Sequence, residues 1–380
     1  MKNNIKQFNK CANCGACYNI CPTKAITVKE EMFYMIDVDD SRCVNCGKCV
    51  EICPVNTTQY TQNIINAYGG YNKDNNIVLK SSSGGAFFTL ANHILSEGGI
   101  VFGATFSDDN KRVFINNTDE VSLEKLLKSK YVESNVGASF KEAKEQLEKN
   151  RKVLYCGCPC QIAGLKRYLQ KDYKNLYTCD FSCGGLPSNK LYKEYLEHLE
   201  KKYKSKISSV DFRPKTYGWS TYAIKICFKN GKKYNSLAKI DPYFSGFIYN
   251  HYTVRDNCLT CQFADNHYSD IILADFWLYK KLSDLPAGNG LSLIITNSFK
   301  GEELLKSVKD KMLLKSLEIE KATYNIKKPS VSEEFIKNRH AFLLQAKEQG
   351  LIKSAKKHCL PSLQKQIVIK IKKRIKKMLK

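Results

Sequence analysis

The chain has 380 residues, 43% hydrophobic and 26% charged, enough for a substantial core and without the bias of a fibrous or disordered chain. No run reaches the ~18–20 apolar residues of a membrane-spanning helix. The N-terminal stretch has lysines but no apolar block and so lacks a secretory pattern; the expected location is cytoplasmic. The net charge is +24, yet residues 351–380 hold eleven Lys/Arg and no Asp or Glu. Much of the excess therefore belongs to one tail, and no nucleic-acid-reading motif accompanies it.

Seventeen cysteines in C-x2-C spacings, in a long chain without a secretory signal, point to metal ligation rather than disulfides. Cys11, Cys14, Cys17 and Cys21 read C-x2-C-x2-C-x3-C with Pro22 next. Cys43, Cys46, Cys49 and Cys53 repeat the pattern with Pro54 next. This is the bacterial dicluster run, in which the fourth cysteine of each motif serves the other cluster. One 4Fe–4S cluster is thus assigned Cys11, Cys14, Cys17 and Cys53, and the second Cys43, Cys46, Cys49 and Cys21. Eight cysteines in two such runs overshoot a pair of zinc sites. Gly15 and Gly47 sit where the backbone must approach a cluster closely, and Ala25 to Val38 reads as two short strands around a turn.

Past residue 64 the pattern alternates between strands and helices, which predicts a mixed α/β body. Ile64–Tyr71, Ile77–Lys80, Ile100–Phe106, Lys152–Cys156, Leu176–Phe181 and Asp270–Phe276 read as strands. Gly84–Ser96, Ser122–Lys130, Ser139–Asn150 and Gln161–Gln170 read as helices, and Glu302–Asn338 as a helical and irregular surface segment. Ser81 to Gly85 opens a helix after a strand, as either an anion seat or an ordinary serine cap. Cys160, Cys183, Cys258 and Cys261 stand at strand ends and in a third C-x2-C loop, enough for one more cluster or a zinc. Cys227 and Cys359 read as small hydrophobes.

Five stretches, in order across roughly residues 65–300, carry a family likeness. They are Ser82-Ser83-Gly84-Gly85, Ser129 to Ser134, Pro159 to Leu165, Cys183 to Ser188, and Cys258-x2-Cys261 followed by Ala274-Asp275-Phe276-Trp277. Together they resemble the coenzyme F420 hydrogenase/dehydrogenase beta-subunit family, in the bacterial branch with a fused dicluster ferredoxin that is associated with polysaccharide biosynthesis. The resemblance implies FAD in the body and a third 4Fe–4S cluster on Cys160, Cys183, Cys258 and Cys261. It makes Ser82, Ser83, Gly84 and Gly85 flavin phosphate contacts, with Lys130, Tyr131, Gln161 and Asp275 (and Trp277) as polar groups near the flavin. Two departures stand out: Cys156 and Cys158 lie where relatives carry hydroxyl residues and compete as ligands, and Gly184 replaces a common histidine. His93, His251 and His267 receive no role, and no catalytic residue is assigned.

The expected organisation is a dicluster ferredoxin domain over 1–58, an FAD and Fe–S body over 64–350, and a basic amphipathic tail over 351–380. The fold class is α+β or α/β, and the expected activity is that of an FAD- and 4Fe–4S-dependent oxidoreductase. Its expected partners are a low-potential donor or acceptor such as ferredoxin and a small-molecule substrate, with no nucleic acid. An electron-relay adapter without its own substrate is the alternative. Leu363, Ile367, Ile371, Ile375 and Met378 or Leu379 share one face of a lysine-rich helix, a pattern suited to peripheral contact with an anionic membrane.

Overall fold

The computed structural model describes residues 4–7, 10–56, 63–120, 123–324, 326 and 331–378, with side chains assigned up to residue 372. The N-terminal module is built on two short helices, α1 (Ala16–Ile20) and α2 (Lys48–Glu51), and a hairpin of β1 (Ile26–Glu30) and β2 (Tyr34–Val38). Gly15 and Gly47 precede the two helices with φ of 88° and 76°, a left-handed conformation that glycine adopts without a Cβ penalty. The duplication in the sequence is thus a duplication in backbone geometry.

The body is organised on one large mixed sheet. Its strands are β3 (Asn66–Asn72), β4 (Ile100–Phe106), β5 (Val113–Thr118), β6 (Ser134–Asn135), β7 (Val153–Cys156), β8 (Leu176–Phe181), β12 (Ile271–Asp275), β13 (Ser292–Thr296) and β14 (Met312–Leu317). Among the described residues their order is β14-β3-β13-β12-β8-β7-β4-β5-β6. The central run β12-β8-β7-β4 is parallel, with antiparallel strands on both sides. The central strands are apolar, as burial on two faces demands. A second sheet pairs β9 (Ile207–Asp211), β10 (Ala223–Phe228) and β11 (Lys233–Leu237). Helices α3 (Asn75–Lys80), α4 (Ala86–Ser96), α5 (Ser139–Glu148), α6 (Pro159–Leu169) and α7 (Asn189–Tyr203) cover the sheets.

Three expectations need correcting. Residues 77–80, read as a strand, belong to α3, which Asp74 caps through its side chain and the Asn76 N–H; a short apolar run does not distinguish the two states. Ser122 lies outside the described residues, and 123–130 form turns rather than a helix. Within 302–338, Met312–Leu317 is neither helical nor irregular but edge strand β14, paired with β3. At the C-terminus the helix Leu351–His358 packs Leu351 and Ala355 into the core with Phe342, Tyr195 and Phe244. The projecting part therefore begins at the helix Leu363–Met378.

The ferredoxin module is docked through polar groups buried at its contact with the body. Glu133, fully buried, accepts from Asn13 Nδ2 at 2.7 Å, from the Tyr34 N–H at 3.3 Å and from Arg255 Nη1 at 3.3 Å. Arg255 also donates to the Tyr34 carbonyl. Removing one member of such a pair leaves a buried charge without compensation. Glu133→Ala is expected to cost about 3–5 kcal/mol, and Glu133→Gln, which keeps an acceptor oxygen, clearly less. Anaerobic thermal melts of the holoprotein check this; an unchanged Tm for Glu133→Ala would contradict it.

Candidate functional site

The eight ferredoxin cysteines fall into two hollows. One is lined by Cys11, Cys14, Cys17 and Cys53 with Ile5, Ile36 and Val55. The other is lined by Cys21, Cys43, Cys46 and Cys49 with Ile26 and Val38. The exchange of the fourth cysteine between motifs is thus present in the backbone. Among the described residues no group of His, Cys, Asp or Glu closes around a single-ion site; the thiols instead line a space with an apolar wall. The Asn13 N–H donates to Cys11 Sγ at 3.3 Å and Asn4 Nδ2 to Cys43 Sγ at 3.7 Å, the kind of N–H···S bond that tunes a cluster's potential. Four-thiol hollows with such donors fit 4Fe–4S clusters.

A third concentration of thiols lies where α6, the end of β8 and the Cys258–Cys261 loop converge. The Cys160 thiol is within electrostatic range of Cys261, Cys183, Cys258 and Cys14, and Cys258 of Cys183 and Cys261. Burial and this mutual repulsion push the Cys258 thiol up to about 12. Such crowding disfavours free thiolates and suits a cationic core that they ligate, so the donor set fits a third cluster. The Leu186 N–H reaches Cys258 Sγ at 3.4 Å.

This cage abuts the first hollow. A Cβ on Gly164 of α6 would lie 3.1 Å from Cys14 Sγ, tighter than ordinary contact, so glycine lets the helix approach the loop without displacing it. Asn257 Nδ2 donates to the Cys11 carbonyl at 3.1 Å and Gln262 Nε2 to the Pro54 carbonyl at 3.1 Å. Both flanks of the Cys258–Cys261 loop are therefore tied to loops that carry ligands of the first hollow.

Of the two competing cysteines, Cys158 joins the cage, its thiol in hydrogen-bond contact with that of Cys183. Cys156 does not: it faces Cys179 in register on the neighbouring strand and lies near Lys130. His267, given no role from sequence, is fully buried with Nδ1 2.8 Å from Asp180 Oδ1, and Cys183 adds to its electrostatic environment. His251 stands 3.9 Å from the position of a Cβ on Gly184, and His93 faces Glu97 on α4.

The second expected site surrounds the N-terminus of α4. Its N-cap is Gly85, with φ 91° and no side-chain cap, so the loop is no serine cap and the first N–H groups of the helix have no capping side chain. The Ser82 hydroxyl is bonded to Ser129 Oγ at 3.0 Å and accepts from the Ser129 N–H at 2.8 Å; the Ser83 hydroxyl donates to the Leu291 carbonyl. These serines shape the loop through protein contacts. Gly84 is forced, since a Cβ there would stand 2.5 Å from the Gly70 carbonyl oxygen. Gln161 is likewise committed: Oε1 accepts from the Cys158 N–H at 3.0 Å and Nε2 donates to Ser134 Oγ at 3.0 Å. It holds the α6 turn.

Asp275 accepts from Arg213 Nη1 at 2.7 Å and Trp219 Nε1 at 3.2 Å. Arg213 also contacts Tyr131 Oη at 3.3 Å and lies 4.4 Å from the Tyr222 ring centre. Trp219 stacks on Trp277 at 4.9 Å, and Lys215 donates to the Ser83 carbonyl at 2.9 Å. The 211–222 segment carries no role in the sequence analysis, although an arginine and a lysine flanking Pro214 just after β9 offer a signal. Lys130 Nζ is bound to the Leu127 and Lys125 carbonyls. Lys128, Lys130, Arg213 and Lys215 thus gather beside an uncapped helix start, an arrangement suited to a pyrophosphate.

Residues 150–322 match the family defined by the C-terminal part of the coenzyme F420 hydrogenase/dehydrogenase beta subunit, and residues 10–57 match the 4Fe-4S dicluster domain. The chain joins these two family domains. It is 26% identical over 325 residues to the coenzyme F420-dependent sulfite reductase of Methanocaldococcus jannaschii, covering 84% of this chain. That match takes in 49% of the relative, so the chain spans about half its length. The structure of the F420-reducing [NiFe] hydrogenase complex from Methanosarcina barkeri aligns over 80% of this chain and 98% of that chain, at 16% identity and TM-score 0.48.

The lysines give the second site a proton signature. Burial lowers the Lys215 and Lys130 amines to about 7, far below the usual lysine range. A bound pyrophosphate favours the charged amine, so binding draws in protons above pH 7, where the free amines are largely neutral, and the uptake fades below it. Calorimetry with FAD at pH 8.5, in two buffers of different ionisation enthalpy, is expected to show net proton uptake, diminished in Lys215→Met. Equal heats in the two buffers would contradict it.

Proposed function

We infer that the chain is an iron–sulfur flavoprotein oxidoreductase, in which electrons from a ferredoxin-type donor pass by way of 4Fe–4S clusters to FAD, which reduces or oxidises an organic substrate. The observation that carries this reading is the contact of Gly164 with Cys14, which puts the third thiol cage against the first ferredoxin hollow. Clusters supply one-electron transfer and a flavin stores one or two electrons, so that hydride-level chemistry becomes accessible.

The chain's own residues divide the work. Cys11, Cys14, Cys17 and Cys53 hold one cluster, Cys21, Cys43, Cys46 and Cys49 the next, and Cys160, Cys183, Cys258 and Cys261 the third. The Ser82–Gly85 loop and the α4 N-terminus take the flavin phosphates, with Lys215 and Lys130 balancing their charge. Asp275 and Tyr131 keep Arg213 fixed at the rim, and the Trp219–Trp277 stack forms an apolar wall. Gln161 contributes by fixing the turn that leads from β7 into α6. The proposed division is a ferredoxin module over 1–58, a body that runs from 64 through the helix Leu351–His358, and a projecting C-terminal helix from Leu363. The named relative acts with coenzyme F420 and on sulfite; a deazaflavin or a small oxyanion is accordingly the first substrate class to assay.

Anaerobically purified protein is expected to carry about twelve irons, at four per cluster, and about one FAD released on acid precipitation. About eight irons without flavin would overturn the reading and leave the relay.

Peripheral membrane contact is a second part of the proposal. No helix among the described residues is long and apolar enough to cross a membrane. The helix Leu363–Met378 rests on the body through Ile369, packed with Ala223, Leu237 and Ile240, and turns Leu363, Ile367, Val368 and Ile371 to solvent. The side chains of Ile375 and Met378, and residue Leu379, lie outside the described set. An outward apolar stripe in a segment rich in lysine and free of acidic residues suits an anionic bilayer surface. Ile367→Glu/Ile371→Glu is expected to abolish co-sedimentation with phosphatidylserine vesicles; unchanged binding would refute this.

A further inference from the structure

The third cage holds one thiol too many. Cys160, Cys183, Cys258 and Cys261 already satisfy the four corners of a cubane, yet Cys158 is buried among them. Cys158, Cys160 and Cys258 are buried in one packed cluster against which Cys183 and Cys261 lie, and the Cys158 thiol is in contact with that of Cys183. We propose that Cys158 and Cys183 share one corner of the third cluster, so that either thiolate alone completes it.

The two residues are built differently. Cys158 is the N-cap of α6, an eleven-residue helix, and its backbone is pinned by its own N–H to Gln161 Oε1 and by its carbonyl to the Gln161 N–H at 2.8 Å. Pro159 restricts it further. Cys183 is half-exposed in an irregular stretch at the end of β8, followed by Gly184 and by Gly185 with φ 110°. Cys158 is thus a fixed, sheltered ligand position and Cys183 an adjustable one. With a cluster bound, either thiol would supply the fourth ligand sulfur, the ligating one giving up its proton and the released one taking it. The chain's Cys156-Gly157-Cys158-Pro159 turn separates two roles, Cys158 looking into the cage and Cys156 towards Cys179.

The proposal rests on the third-cluster reading, so its test is made to separate the two. Iron content and low-temperature EPR of the dithionite-reduced protein are compared for the parent, Cys158→Ala, Cys183→Ala, the double variant and Cys160→Ala. Cys158→Ala and Cys183→Ala are each expected to keep about twelve irons, with g-values of the third signal shifted in Cys183→Ala. The double variant and Cys160→Ala fall to about eight irons, at four per lost cluster, with the two ferredoxin signals intact as the check on folding. A fall to about eight irons in either Cys158→Ala or Cys183→Ala alone, or no fall in the double variant, overturns the sharing. About eight irons in the parent instead overturns the third cluster itself.

Discussion

The rest of the arrangement depends on one close approach, that of α6 to the first ferredoxin loop at Gly164 and Cys14. A side chain at position 164 would crowd Cys14 and require it to give way by a few tenths of an ångström. The same helix contributes Cys158 and Cys160 at its start and sends Arg167 Nη2 to the Glu51 carbonyl at 2.8 Å. One eleven-residue element therefore supplies ligands, spacing and a tether to α2. Polar contacts surround this approach: Glu133 with Arg255 in the interior, and Asn257 with Cys11 and Gln262 with Pro54 nearer the surface. Their directionality fixes how the module sits, which hydrophobic contact alone does not do.

Electrostatics divides the body in two. On the thiol side, burial and mutual repulsion hold crowded cysteines neutral, a set suited to ligating a cationic core. On the α4 side, Lys128, Lys130, Arg213 and Lys215 converge near a helix start that no side chain caps. Arg213 is already matched by Asp275 and Lys128 pairs with Asp211 at 2.5 Å, whereas Lys215 donates to the Val78 and Ser83 carbonyls. Amines held below their usual range by burial gain most from an incoming anion. The turn Cys156-Gly157-Cys158 lies between the two regions, where electrons would have to cross.

Much of the iron–sulfur machinery is legible in the sequence because its geometry is local. The x2-x2-x3 spacing and the following prolines dictate both which thiols converge and the exchange of Cys21 and Cys53, and Gly15 and Gly47 fall where a positive φ is required. The region around the α4 N-terminus is less legible. Ser82, Ser83 and Gln161, singled out in the sequence, turn their side chains to the protein itself. The charges that do face this region, Arg213 and Lys215, come from a loop more than 120 residues further along, and no local pattern links the two. Residues 77–80 mislead because four apolar-rich positions carry no period long enough to separate a strand from a helix turn.

The sequence by itself determined the ligands of the dicluster module, the alternation that makes an α/β body, and a basic C-terminal helix with an apolar stripe. Each depends on spacings of two to seven residues, the range over which backbone geometry alone positions side chains. Only the tertiary structure decided how the remaining thiols are arranged: Cys160 and Cys258 come within electrostatic range of Cys183 and Cys261, Cys158 lies against Cys183, and Cys156 lies against Cys179. It also decided that the C-terminal helix docks through Ile369 and leaves its stripe outward. Those outcomes follow from which face of each element is buried, and burial is a property of the whole fold.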